Sequence, residues 1–285
     1  MSATTWTGGT STDITNNANW SNDRPVIGSD VYVSAQATYA MGAGSLTNGN
    51  AVVTSLTYDK DYTLDTGTSA ADLVVFAGEI NLAGSGTVYM QMQDVTTLTI
   101  QGGGTNYLLG VSGETMATTV WDYCTGIVNY AYRPAEVGTV AALYKMGTGT
   151  LYLGGTVTVL TTVYQKAGTL DSSSAIATFN GYGGVAWQRA AISTMYTGSN
   201  HELHYATNGA LADFVLQAGA VLDLRDDIRA VTITAGGVAH ERSSILDPQG
   251  RATWTVGFSM PTGHEIGNMT ALELGPGRTY TVVSA

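Results

Sequence analysis

The ten residues Leu73-Val-Val-Phe-Ala-Gly-Glu-Ile-Asn-Leu82 place an Ala-Gly pair between two apolar runs of strand length. Related phrases return at 163–170, at 214–224 and, more loosely, at 231–238. Each phrase predicts two strands that are joined by a tight corner at the Ala-Gly pair. A chain that repeats strand and corner, with no helical periodicity, is typical of stacked or wound β-structure.

The segments around these phrases also read as strands. Apolar and polar residues alternate at period two in 51–58, 87–93 and 96–101, where β-branched and aromatic residues dominate. Asn-Gly pairs, the usual hairpin turns, are few: Asn48-Gly49, Asn180-Gly181 and Asn208-Gly209. The sequence therefore predicts an all-β fold, a degenerate parallel β-helix with turns of roughly 20 residues. Serial β-sandwiches are the alternative.

Changes in this rhythm divide the chain into four predicted segments. Residues 1–35 are expected to form an N-terminal cap in which Trp6 packs with Trp20, and 36–109 the first part of the β domain. Residues 110–137 break the alternation and predict an irregular insertion or contact loop, and a second irregular stretch is expected at 180–210. Residues 138–285 are expected to form the second part of the β domain.

The composition argues against several functions. Charged residues make up only 12% of the chain, about half the usual share of roughly 25%. The net charge is −11 with no basic cluster, so nucleic-acid binding by phosphate neutralisation is not expected. No apolar run approaches the roughly 20 residues that span a bilayer, and no membrane partner is expected. The N-terminal sequence does not resemble a signal peptide, which predicts synthesis in a cytoplasm.

Candidate metal and nucleophile sites are weak. His201 and His204 stand three residues apart, whereas a zincin helix needs a spacing of four, and a strand would put them on opposite faces. Cys124 is the sole cysteine, so no intrachain disulfide can form, and no histidine lies near it in sequence to activate it. The charged run 223–229 predicts a self-neutralising turn rather than a calcium site.

A glycosidase would need two facing carboxylates, and aromatic rings could stack on sugars. The carboxylate candidates are Glu79, Asp94, Asp171, Asp223 and Glu241, and the aromatic candidates are Tyr123, Tyr130, Tyr132 and Trp187. The sequence does not say which of them face one another. Gly102-Gly103-Gly104 lacks the strand-to-helix setting of a dinucleotide loop. We therefore expect no catalytic residue, no metal and no cofactor.

The N-terminal stretch resembles the start of autotransporter-type and related bacterial surface β-helix modules. The resemblance rests on Trp6-Thr-Gly-Gly, Asn19-Trp20-Ser and the run from Pro25 through Gly28-Ser-Asp30-Val31. It implies a β-structured start in which the tryptophans pack as a cap.

Over its whole length the chain is similar in composition to structural proteins of tailed-phage virions, with low charge, abundant Thr and 36 glycines. This similarity implies a non-enzymatic virion protein, made in the host cytoplasm, that decorates and cements a capsid by binding the major capsid protein. The alternative is a fibre, spike or extracellular surface adhesin that binds receptor glycans, with or without glycosidase activity. Few charges and aromatic-rich breaks further predict a homo-oligomer, with a trimer as the guess.

Overall fold

The chain winds through successive turns, and each turn adds a strand to a parallel sheet, so the fold is a parallel β-helix. This computed structural model describes residues 2–110, 114–130, 138–154, 160–207, 211–225, 233–240, 242–247, 252–260, 271–274 and 279–284. It divides into two compact units, Met1–Thr158 and Val159–Ala285. The all-β prediction and the preference for a β-helix over sandwiches are confirmed.

The first unit has two parallel sheets, which we call its major and minor sheets. The strands of the major sheet are β1 (Ala3–Trp6), β2 (Asp30–Val33), β4 (Val53–Tyr58), β5 (Leu73–Leu82), β7 (Val95–Ile100), β9 (Glu114–Asp122) and β11 (Gly138–Lys145). The strands of the minor sheet are β3 (Gly44–Ser45), β6 (Thr87–Gln93), β8 (Thr105–Leu109), β10 (Ile127–Asn129) and β12 (Thr150–Leu153), together with the first half of β5. Two short 3-10 turns occupy Asn17–Asn19 and Asn48–Asn50.

The second unit repeats this plan. The strands of its major sheet are β13 (Leu160–Gln165), β15 (Ile176–Gly181), β17 (Ile192–Thr197), β19 (Leu211–Leu216), β21 (Ile233–His240), β23 (Ala252–Met260) and β25 (Thr279–Ser284). The strands of its minor sheet are β14 (Thr169–Ser172), β16 (Gly184–Gln188), β18 (His201–Tyr205), β20 (Val221–Asp223), β22 (Ser244–Asp247) and β24 (Ala271–Leu274).

Strand register gives the length of each turn. Ile176 pairs with Ile192, an advance of 16 residues, whereas Thr4 pairs with Val31, an advance of 27 residues. The expected turn length of roughly 20 residues lies between these extremes. Because the turns differ in length, residues that become neighbours cannot be found by a fixed spacing in the sequence.

The interior is built from columns of apolar side chains in register. In the first unit, six consecutive strands of the major sheet contribute Val31, Leu56, Ile80, Leu98, Val120 and Leu143 to one column. Each of these side chains is almost fully buried. Burying such a side chain is worth about 1.5–3 kcal/mol relative to exposure, so each turn supplies its own share of the core.

One corner of the first unit is a column of glycines. A Cβ on Gly104 would overlap the carbonyl oxygen of Gly86, one on Gly126 that of Gly104, and one on Gly149 that of Gly126. Successive turns therefore approach too closely at this corner for any side chain, which is the close backbone approach that favours glycine.

The Ala-Gly corners are right for two of the four phrases. Gly168 and Gly219 have positive φ values of 68° and 83°, and each lies in a turn between two strands. At Gly78 and Gly236 the prediction of a corner is wrong, because β5 and β21 run through them without a break. The first half of β5 pairs in the minor sheet and its second half in the major sheet, so the strand passes from one sheet to the other.

The stretches expected to be irregular contain regular strands. Segment 110–137 holds β9 and β10, and residues 131–137 lie outside the described residues. Segment 180–210 includes β16, β17 and β18. Thr and Ala interrupt the apolar alternation in these strands, yet in-register pairing with the neighbouring turns supplies their backbone hydrogen bonds.

The N-terminal tryptophans pack together as expected. The rings of Trp6 and Trp20 meet edge to face at 5.1 Å, and both side chains are buried. The Trp6 indole N–H donates to the Tyr39 carbonyl at 3.0 Å, and that of Trp20 to the Ile14 carbonyl at 2.9 Å. Both polar ends of this aromatic pair are therefore satisfied, which stabilises the start of the solenoid.

We expect Trp20→Ala to destabilise the protein by about 3–5 kcal/mol, because truncating a buried aromatic leaves a cavity and exposes Trp6. The measurement is chemical denaturation of the variant beside the wild type. The control is Tyr152→Ala, since this ring is 37% exposed and a surface substitution usually costs about 0.5 kcal/mol or less. Equal stability of Trp20→Ala and wild type would show that the pair does not hold the cap.

Candidate binding surface

A polar groove crosses the outer face of the major sheet in the first unit. Its lining consists of Ser55, Thr57, Glu79, Ile80, Asn81, Thr97, Thr99 and Gln101. Thr57, Asn81 and Thr99 are register partners in consecutive turns, and Ser55, Glu79 and Thr97 form a second column beside them. Because strand residues alternate between the two faces, the apolar partners of these side chains point into the core.

Aromatic rings stand at both ends of this groove. Trp121 is the register partner of Thr99, and its indole stacks on Tyr144 of the next turn, with ring centres 4.0 Å apart and planes 12° apart. Tyr123 lies parallel to Trp121 at 6.3 Å, and we call these three rings the aromatic stack. At the other end, Tyr32 is the partner of Thr57 and is 48% exposed. Four strand spacings separate Tyr32 from Trp121, about 19 Å.

The groove offers hydrogen bonds along its floor and a flat apolar ring at its end. Hydroxyl and amide groups both donate and accept, and Glu79 is an exposed acceptor. Since Tyr144 covers one face of the Trp121 indole, the opposite face is directed toward the turn that carries Thr99. A flat molecule lying over Thr99 would therefore continue the stack by one rung.

A second cluster lies on the outer face of the minor sheet in the second unit. Asp171, Trp187, His204 and Asp223 are consecutive register partners, and the Trp187 and His204 rings stack at 3.9 Å. His204 Nε2 is 2.9 Å from a Glu202 carboxylate oxygen, and Nδ1 is 3.9 Å from Asp223. We call Glu202, His204 and Asp223 the carboxylate–histidine cluster.

The carboxylate–histidine cluster has the atoms of a metal site, since one ligand atom from each residue lies within 4.8 Å of the others. Asp223, however, already accepts from Arg225, whose Nε and Nη2 donate at 2.7–3.1 Å. Burial alone would raise the pKa of Asp223, but hydrogen bonds and charge from Arg225 outweigh it and lower that pKa. A cation would have to displace this guanidinium, so the contacts favour a charge ladder over a metal centre.

The carboxylates singled out from the sequence do not form a facing pair among the described residues. Glu79 and Asp94 are exposed in the first unit, on different elements. Asp171 and Asp223 lie on the same face but three strands apart, and Asp171 is paired with Arg189. Glu241, Asp226, Asp227 and Arg229 lie outside the described residues.

The other sequence candidates are scattered. Tyr123 is 43% exposed in the aromatic stack, Tyr130 is buried, Trp187 stacks on His204, and Tyr132 lies outside the described residues. Cys124 is buried, and burial raises the pKa of its thiol, which disfavours the nucleophilic thiolate. Sequence reasoning missed the groove, the place of Trp121 beside Thr99, and the contact between Glu202 and His204, because these neighbours depend on register.

The predicted opposition of the two histidines is confirmed, since β18 buries His201 and directs His204 outward. His201 Nε2 lies 3.2 Å from the Gln165 amide oxygen, while Nδ1 is buried with no hydrogen-bond partner among the described residues. Burial lowers the pKa of His201 from its ordinary value of 6.5 to about 4. The imidazole is therefore neutral in the folded protein at neutral pH.

Comparison with protein-family models, curated proteins and solved structures found no match to this chain. In the part of the chain that the structure describes, no helix has the length and apolar character needed to cross a membrane.

We expect acid to destabilise the protein partly through His201. The unfolded chain takes up this proton near pH 6.5 and the folded chain only near pH 4. Between these values the unfolded state binds more protons, so stability falls as the pH drops, by about 3 kcal/mol at pH 4. Denaturation curves from pH 7 to pH 4 measure the slope.

The matched variant is His201→Gln, which removes the titrating group and keeps a polar side chain near Gln165. Its stability should fall less steeply over this pH range, whatever its absolute stability at pH 7. Identical slopes for variant and wild type would contradict the assignment of this acid sensitivity to His201.

Proposed function

We propose that this protein is a non-enzymatic attachment protein that binds a linear glycan along the polar groove. One observation carries the proposal: a polar groove of about 19 Å that ends on the open face of a stacked tryptophan. We place the protein on the surface of a virus particle, in keeping with the composition of the chain, with a cell-surface adhesin as the alternative setting.

The groove suits a sugar chain because the two chemistries of a sugar are laid out in order. Sugar hydroxyls both donate and accept hydrogen bonds, as do Thr57, Asn81 and Thr99 on the groove floor. A pyranose has a flat C–H face that packs on an aromatic ring, and the free face of Trp121 supports such packing at the end of the row. A linear chain of sugars could follow the floor and rest its last ring on Trp121.

The same geometry favours binding without cleavage. Glycoside hydrolysis by the usual route uses two carboxyl groups that flank the scissile bond, one of them kept protonated by its surroundings. Among the described residues that line the groove, Glu79 is the one carboxylate, and it is exposed to solvent. We therefore propose that the glycan is held and released intact.

Affinity electrophoresis tests this function with gels that contain one soluble linear polysaccharide each, neutral or anionic. We expect at least one neutral polysaccharide to retard the protein, because a net charge of −11 disfavours polyanions. Trp121→Ala should weaken retardation roughly tenfold, since it removes the stacking face. No increase in reducing ends is expected on long incubation.

The control for this experiment is Tyr152→Ala, which removes an exposed ring from the minor sheet of the first unit, away from the groove. It should leave retardation unchanged. If no polysaccharide retards the wild type, or if both variants lose retardation equally, the groove is not a glycan site.

A second candidate function, capsid decoration, is favoured by an exposed apolar patch near the N-terminus. Val26, Ile27 and Val52 are 57%, 74% and 50% exposed, and the Gly28 N–H donates to the Val52 carbonyl at 2.9 Å, which brings the two segments together. Contiguous apolar surface of this kind is typical of contacts between proteins. On this reading the patch binds the major capsid protein, and the homotrimer predicted from the sequence stays a prediction.

Copy number in purified virus particles separates the two functions. A capsid-bound decoration protein should occur at a level comparable to that of the major capsid protein, whereas an attachment protein should occur at a few copies per particle. If the protein is abundant, Ile27→Asp should reduce its incorporation, because a charge in the patch opposes burial. Abundant protein whose incorporation is unaffected by Ile27→Asp would exclude this patch as the contact.

A further inference from the structure

The interior of the first unit holds one ion pair that is fully buried. Lys145 of β11 and Asp122 of β9 are register partners, and neither side chain has any exposed area. Lys145 Nζ lies 3.2 Å from Asp122 Oδ2. The chain has only three lysines, and the other two, Lys60 and Lys166, are exposed.

Such a pair is costly as two charges. Removing an ammonium and a carboxylate from water costs several kcal/mol per ion, and their mutual attraction repays this only with good geometry and further hydrogen bonds. Burial raises the pKa of Asp122, and the nearby Lys145 charge offsets only part of that rise. The surroundings therefore favour a proton shared toward the neutral amine and the neutral acid.

The contacts around the pair are arranged unevenly. Lys145 Nζ donates to the Gly147 carbonyl at 2.8 Å, and the Cys124 N–H donates to Asp122 Oδ1 at 2.8 Å. Asp122 Oδ2, the oxygen nearest the amine, has no hydrogen-bond partner among the described residues. One carboxyl oxygen is thus held by a backbone donor, as in an oxyanion hole, while the other is free to leave.

We propose that Lys145 and Asp122 form an intramolecular amide bond, joining Lys145 Nζ to Asp122 Cγ. The ammonium first passes a proton to the carboxylate. The Nζ lone pair then attacks Cγ, and the negative charge that develops on Oδ1 is stabilised by the Cys124 N–H. Oδ2 leaves as water, taking the carboxyl proton and one proton from the nitrogen, and Oδ1 returns to a carbonyl.

The reaction needs no further reactant, because an amine and a carboxylic acid give an amide and water, and nothing is oxidised or reduced. Fixed proximity in a dry interior supplies the driving geometry, as in other intramolecular reactions with high effective molarity. The Tyr130 hydroxyl is also buried without a hydrogen-bond partner among the described residues, and the Asp122 charge adds to the rise that burial causes in its pKa. This hydroxyl is the polar group available to relay a proton.

Intact-protein mass spectrometry of the wild type under denaturing conditions tests the proposal. We expect a mass lower than that of the sequence by one water molecule. Tandem spectra of a tryptic digest should contain one branched species in which the peptides of Asp122 and Lys145 are joined, and trypsin should not cleave after Lys145.

The chain contains its own matched control. Lys60 Nζ lies 2.9 Å from an Asp61 carboxylate oxygen, but both side chains are largely exposed, so this pair should stay unlinked and trypsin should cleave after Lys60. Lys145→Met and Asp122→Ala should each restore the full sequence mass, folded or not. A wild-type mass without the loss of water, or a loss that persists in Lys145→Met, would overturn the proposal.

Discussion

Parallel strands in successive turns are hydrogen-bonded in register, so each residue lies about 4.8 Å from its counterpart one turn away. This spacing constrains every column of the solenoid, because a side chain must fit against a similar neighbour above and below. Interior columns repeat apolar residues, as from Val31 to Leu143. At the glycine corner the spacing is so tight that Gly86, Gly104, Gly126 and Gly149 repeat in four turns.

The same constraint shapes the outer faces. Flat rings spaced by one strand stack face to face, as Trp121 does on Tyr144 and Trp187 on His204. Small polar residues in the same position leave a groove, as Thr57, Asn81 and Thr99 do. A solenoid of this kind presents its chemistry as rows of repeated groups rather than as a cleft, and rows of repeated groups match ligands that are themselves repetitive.

The strands and the tryptophan cap could be predicted from the sequence, because they depend on local alternation and on a compact motif. Column neighbours could not be predicted, because turns of 16 to 27 residues leave the register open. Trp121 meets Thr99, and Asp122 meets Lys145, only once the register is known. The Ala-Gly phrase also has two meanings: Gly168 takes a left-handed turn, whereas Gly78 lies within a continuous strand, and the local residues are the same.

The groove and the buried lysine meet in two adjacent strands. Trp121 and Asp122 are neighbours in β9, and Tyr144 and Lys145 are neighbours in β11, so the aromatic stack lies outside the sheet where the Lys145–Asp122 pair lies inside. A ligand that pulls on Trp121 loads β9, and the load passes to β11 through backbone hydrogen bonds, each worth about 0.5–1.5 kcal/mol net. An amide between Asp122 and Lys145 would carry the same load through a covalent bond. The rung that ends the groove is therefore also the rung where a cross-link would do most to keep successive turns together under tension.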